Sequence, residues 1–314
     1  MTPQTPGVSV IEPVSPAIET VKATLFKPFD LGKWFVIGFC AWLAQLSQGG
    51  FHFNFPFRGF DRSHLLPSQL QNFFEIRLPL IITIGAVAFI IGTAILVVCL
   101  WLSSRGKFMF LYCVALNKAE VKTPWHRFRQ QGNSLFLFRL AVGVVFLLCL
   151  LLFTGAIVLF VALFGRYHGN ISPPVFVAVA LLSFILVPVA IGVALILKLT
   201  SDFVVPLMYL RPCTCVEAWR EFWALLSKNI GRFALYILFQ IVIAMAIGAI
   251  VVAAVLVTCC CAGALLAIPY IGTVLKLPLL MFSRAYSLLY LRQFGPQFDV
   301  FLPVVPQRDT VQTL

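Results

Sequence analysis

An all-α fold, a polytopic bundle of transmembrane helices, is what three features of the sequence predict. The composition is 61% hydrophobic and only 11% charged over 314 residues, with a mean hydropathy of +0.99; soluble domains are about half apolar and a quarter charged. Apolar runs recur at spanning length: Leu78 to Leu102, Leu140 to Phe164 and Val175 to Leu197 hold no charged residue, and a span needs about 20 such residues. A unit also recurs. Setting Trp219-x-x-Phe222 on Trp125-x-x-Phe128 brings Asn229 close to Asn133, and each stretch re-enters an apolar run through aromatic residues, Phe233 and Tyr236 in one, Phe136 and Phe138 in the other.

Residues 1–16, rich in Pro, Thr and Ser and lacking the basic start of a secretory signal, are expected to be a disordered tail. From Ala17 onward, Ile18, Val21, Leu25, Phe26 and Phe29 recur with Lys22, Lys27 and Lys33 between them, the pattern of a short amphipathic helix in the interface that Pro28 and Asp30 break. A first span is expected near 31–48. Its apolar run, Trp34 to Leu46, is short and reaches about 20 residues only with Leu31, Gly32 and the polar end Gln45, Ser47 and Gln48. In the polar connection that follows, Gly49 to Arg77, Phe51, Phe53, Phe55 and Phe57 alternate with His52, Asn54 and Pro56, which puts the rings on one face of an extended segment. That face reads as an aromatic lid over a hydrophobic entrance or as an interfacial anchor. Leu65 to Ile76 reads as a second surface helix. Further spans are expected near 78–102, 136–164, 175–197, 233–257 and 259–280, the last two joined by the turn Thr258 to Gly263. Residues 17–301 therefore form one transmembrane domain of about six spans, and 302–314 a disordered C-terminal tail.

Lysine and arginine set the orientation. One set of flanks carries Lys22, Lys27, Lys33, Arg105, Lys107, Lys118, Lys122, Arg127, Arg129, Arg139, Lys198, Arg211, Arg220, Lys228, Arg232, Lys276, Arg284, Arg292 and Arg308; the other carries Arg58, Arg62, Arg77 and Arg166. The first set is expected on the cytoplasmic side with both termini, placing the chain as a multi-pass protein of the cytoplasmic (inner) membrane. The net charge of +12 then faces the anionic inner leaflet, so membrane lipids are the expected partner, with a partner membrane protein as a further possibility, and nucleic acid is not expected.

The repeat extends to a third copy. Pro206-Leu-Met-Tyr-Leu-Arg211 matches Ser287-Leu-Leu-Tyr-Leu-Arg292, and Ala17 to Trp34 is similar to Ala218 to Leu235. Three pseudo-repeated hairpins with amphipathic helices on the inner face follow, an arrangement of parallel repeats about the membrane normal. The run Leu25-Phe-Lys-Pro-Phe-Asp-Leu-Gly-Lys-Trp34, the Trp125-x-x-Phe128 loop ending in Gly132-Asn-Ser134, and the tail Pro278 to Pro296 resemble an uncharacterised family of prokaryotic six-span integral membrane proteins. More distantly they resemble the membrane domain attached to some glycerophosphoryl diester phosphodiesterases. The resemblance spans most of 17–301 and implies fold and location. It implies no activity: the family has none agreed, and these residues leave no room for the soluble phosphodiesterase barrel.

Candidate chemistry is sparse. Cys259-Cys260-Cys261 could hold a soft metal or form an outer disulfide, but adjacent cysteines on a turn converge poorly on one ion, and a tight helical turn of small residues ending at Gly263 is the simpler reading. Cys213-x-Cys215 with His126 makes a zinc site only if two loops meet, and the Cys-x₂-Cys spacing is missing. No metal or cofactor is expected. Asp202 stands at the inner edge of a span, and Lys107 and Arg284 occupy the equivalent place in the other copies. In a three-fold bundle an ion pair of Asp202 with Lys107 or Arg284 could close the inner end; a solvated charge at a helix end is the plain alternative. Apart from Gln240, the spans from Leu78 onward hold little more polar than Ser, Thr or Cys. Proton pumps and intramembrane hydrolases need titratable or nucleophilic groups there, so no catalytic residues are expected and the protein reads as a non-enzyme. Backbone carbonyls unwound near Pro188 or Pro269 could still serve a carrier. Gly85, Gly92, Gly143, Gly155, Gly192 and Gly248 are expected to pack spans closely. Two functions are carried forward: a non-enzymatic membrane protein that binds lipids or partner proteins, and a carrier or channel for a hydrophobic or amphipathic solute.

Overall fold

Helix starts follow local chemistry. Val14–Val21 (α1) runs on into a π-helical turn, Lys22–Phe26. Leu31–Gln45 (α2) begins at Asp30, whose carboxylate accepts the Gly32 N–H at 2.8 Å. Leu78–Leu116 (α3), Lys122–Arg127 (α4), Arg129–His168 (α5) and Pro173–Leu199 (α6) follow; a second π-helical turn, Thr200–Val204, joins α6 to Val205–Leu210 (α7). Cys215–Lys228 (α8) opens on a capping box: the Thr214 N–H donates to Glu217 Oε2 at 2.8 Å, and the Glu217 N–H to Thr214 Oγ1 at 3.4 Å. Ile230–Val257 (α9), Pro269–Leu275 (α10) and Leu277–Arg292 (α11) complete the order, the last two with Pro in the first turn, where its missing N–H costs nothing. The structure, a computed structural model, describes residues 8–47, 78–168, 173–258, 263, 265–266 and 268–301, and among them there is no strand.

Four helical stretches are long and apolar enough to cross a membrane: Ile82–Leu116, Arg129–Phe160, Phe184–Leu210 and Ile230–Val257. A fifth results if α10 and α11, bent by 63°, count as one broken span. Among the described residues, four or five of the six expected spans thus have a helix long and apolar enough to cross. At 1.5 Å per residue, the 15 residues of α2 reach about 22 Å, short of a hydrocarbon core about 30 Å thick. The helix instead lies against the second half of α3: Gly106 of α3 sits so near that an added Cβ would be 2.6 Å from the Ala44 backbone nitrogen, and Lys33 Nζ reaches Asn117 Oδ1 at 2.7 Å. The span expected over 259–280 is broken at Lys276, and α10 packs on α2, with a Cβ at Gly38 falling 2.7 Å from Val274 Cγ2.

Burial is concentrated where the charged residues lie. Ser103–Val114 of α3 is buried on all sides, as are Leu199–Tyr209 except Ser201 and Arg284–Leu291 except Leu289. Each of these three segments carries one short helix on its flank: α4 on α3, α8 on the second π-turn, and α1 on α11. The most apolar window of each spanning helix is the reverse: 0% buried in Ile82–Leu116 and Arg129–Phe160, and 11% in the other two. The chain is thus a packed helical core from which bare apolar helices extend, the surface that lipid tails cover.

Two expectations change accordingly. A Cβ built at Gly85, Gly92, Gly143, Gly155, Gly192 or Gly248 meets nothing within 4 Å, because these glycines sit on the bare windows; close approach belongs to Gly38 and Gly106 instead. Within the tail expected over 1–16, residues Ser9 and Val10 are held to α11: the Ser9 N–H donates to Gln293 Oε1 at 2.7 Å, Gln293 Nε2 donates to Ser9 O at 2.9 Å, and the Tyr286 hydroxyl donates to Val10 O at 2.9 Å. Those side chains satisfy a backbone with no helical partners of its own. Residues 1–7 and 302–314, the Phe51, Phe53, Phe55 and Phe57 segment, the 65–76 surface helix and Cys259 to Cys261 lie outside the described residues.

Candidate functional site

The three buried segments each bring one ionisable side chain to the same place. Lys107 is 6% exposed, Asp202 6% and Arg284 8%, and all three line one cavity of about 190 Å³. Ala41, Ala44, Phe110 and Leu280 form its apolar wall; Gln45, Lys198, Ser201 and Ser283 complete its polar lining. The π-turn brings both Ser201 and Asp202 to it; such turns are frequent at functional sites. Lys198, with a side chain 46% exposed, marks where the lining meets the surface.

Asp202 is engaged through one oxygen. Its Oδ2 is 2.8 Å from Lys198 Nζ, four residues earlier on the same helical stretch, and accepts from the Tyr236 hydroxyl at 3.1 Å; Gln240 Nε2 in turn donates to that hydroxyl at 2.9 Å. The carboxylate therefore pairs with Lys198 rather than with Lys107 or Arg284, although all four line the cavity. Lys107 has no carboxylate within 4.0 Å among the described residues. Arg284 donates from Nη1 to the Ser201 carbonyl, while its Nε and Nη2 are buried without a partner. Three cations thus face one carboxylate, and among the described residues only Lys198 is in direct contact with it, which leaves Lys107 and Arg284 without a carboxylate at contact distance. Burying charge without a counter-charge costs several kcal/mol per ion, so the arrangement is suited to an anion.

Further cations are held close by. Arg139, 7% exposed, donates from Nη1 to the hydroxyls of Ser103 and Ser104 at 3.3 and 3.2 Å and from Nη2 to that of Ser47. Arg105 lies between the Trp101 and Trp125 rings, 4.3 and 4.9 Å from their centroids, and donates to Asn133 Oδ1 at 3.0 Å. The paired motifs meet similar partners: Phe128 stacks on Phe108 at 5.8 Å and Phe222 on Phe203 at 5.3 Å, and each buried ring follows directly on a cavity residue, Lys107 or Asp202.

Among the described residues no group of three His, Cys, Asp or Glu could hold a metal. The Cys215 thiol is pushed up to about 12 by burial, then by Cys213, and burial raises Cys213 as well. Burial thus favours the neutral thiol at both positions. Sequence reasoning singled out Lys107, Asp202 and Arg284 but missed Lys198 as the partner of Asp202, although its i, i+4 spacing was a readable signal. Nothing in the sequence marks the unpartnered edge of Arg284.

A family of unknown function (DUF7544) matches residues 8–275, most of the chain and every wall of the cavity except Leu280, Ser283 and Arg284. The chain belongs to this family. The family match has no link to the phosphodiesterases or to prokaryotes. No curated protein and no solved structure matches the chain.

Proposed function

We propose that the chain is a non-enzymatic integral membrane protein that binds anionic lipid at its basic, packed end. The observation that carries this reading is the pair of buried cations without a carboxylate at contact distance beside bare apolar helices. An anionic amphiphile would satisfy both at once, its head meeting the cations and its tails the exposed windows. The positive-inside distribution supports a packed end on the cytoplasmic face of the inner membrane with both termini inside. The three buried segments, each flanked by a short helix, support an internal repeat. A carrier would need a cavity between the bare windows; the cavity described lies among the charged ends of the helices, which favours binding.

The reading is tested by reconstituting the chain in nanodiscs of phosphatidylcholine alone or with phosphatidylglycerol and following thermal unfolding. Saturating ligand at about a hundred times its dissociation constant stabilises by about 2.7 kcal/mol, so the anionic bilayer is expected to raise the midpoint by several degrees. Equal midpoints in the two bilayers would count against lipid binding.

A further inference from the structure

We infer that the cavity between Lys107, Lys198 and Arg284 is a binding site for one phosphoryl group. The inference rests on the lipid-binding reading only for the source of that group, a lipid head or free phosphate. Three observations point to it. Arg284 lines the cavity, and its Nε and Nη2, packed under protein and without partners, share the guanidinium edge by which an arginine can hold two oxygens of one anion. The third nitrogen is fixed by the Ser201 carbonyl, which orients the plane in the absence of ligand. Lys107 and Lys198 add two ammonium groups, and Ser201, Ser283 and Gln45, whose hydroxyl and amide groups can donate, stand in the same lining.

The charge balance selects the anion. The lining carries three positive groups, and Asp202 neutralises one through Lys198. A carboxylate would answer one of the remaining two charges, whereas a phosphomonoester carries up to two and offers several acceptor oxygens. Asp202 also has a part: it occupies Lys198 and keeps the free positive charge on Lys107 and Arg284. Access is at Lys198, the exposed member of the set, next to the bare flank of α6, where the tails of a lipid so held would run.

The full-length chain in phosphatidylcholine nanodiscs is tested with phosphatidic acid, with oleate as an anionic lipid without phosphorus, and with inorganic phosphate. Retained lipid is counted by native mass spectrometry, and phosphate is followed by thermal shift. Phosphatidic acid or phosphate is expected to bind with oleate ineffective, and Arg284→Gln and Lys107→Met are each expected to weaken binding by about tenfold or more, the size of one lost charge-assisted contact. Without ligand the same variants are expected to unfold no earlier than wild type, since they remove a buried charge that no carboxylate contacts. If Arg284→Gln does not fold, Arg284→Lys, which keeps the charge and loses the paired edge, makes the same comparison with Lys107→Met. Phosphatidic acid retained equally by wild type and variants overturns the site while leaving lipid binding intact. Phosphate binding that the variants lose, with no lipid retained, upholds the site and overturns the lipid reading. Oleate bound as well as phosphatidic acid, or no binding of either phosphorus compound, overturns the site outright.

Discussion

Asp202 is the residue on which the cavity's charge turns. It accepts from Lys198 and Tyr236 at once, so Asp202→Asn keeps the shape of the side chain while releasing Lys198 and adding one positive charge to the lining. The variant is expected to lose about 1–3 kcal/mol of stability, the cost of weakening a buried charged hydrogen bond, and to bind phosphate more tightly than wild type; thermal unfolding with and without phosphate measures both. A drop in phosphate binding would show that the carboxylate acts as something other than a brake. The residue was legible in the sequence because an acid at the end of an uncharged run of 23 residues, Val175 to Leu197, stands out. Lys107 and Arg284 were singled out by the places they share in the expected repeat. The partner was legible too, since Lys198 stands four residues before Asp202, the spacing that makes side chains neighbours on a helix; the π-turn was not, because no residue in Thr200–Val204 announces it.

Among the elements, α2 and α3 show how a short apolar helix packs against a longer one. Their contact depends on Gly106, where a methyl group would fall 2.6 Å from backbone of α2, and backbone cannot rotate away as a side chain can. Gly106→Ala is therefore expected to lower the thermal midpoint, with a cost of about 1–3 kcal/mol. Gly85→Ala, on the same helix but with nothing within 4 Å, is expected to be neutral or to gain up to about 1 kcal/mol from helix propensity. Equal effects at the two positions would mean that α2 does not pack there. The spans of α3, α5, α6 and α9 were readable because long uncharged runs have few other uses. The role of α2 was not, since a 15-residue apolar helix suits a buried core and a membrane edge alike. The helix glycines misled for a related reason: hydropathy marks what enters the bilayer, whereas only contact shows which windows stand bare.

Over the whole molecule, packing and hydropathy separate. The most apolar windows are the least buried, and the buried core gathers Arg105, Lys107, Arg139, Asp202 and Arg284. A folded end rich in buried cations, joined to helices with bare apolar sides, is what the proposed hold on an anionic lipid requires. The most direct measurement is native mass spectrometry of the chain released from its own bilayer, with the retained species identified. One phosphorus-bearing anionic lipid per chain, enriched above its abundance in the surrounding membrane, is the result expected. A chain that carries only bulk lipid, or a stoichiometric partner protein and no lipid, would contradict it.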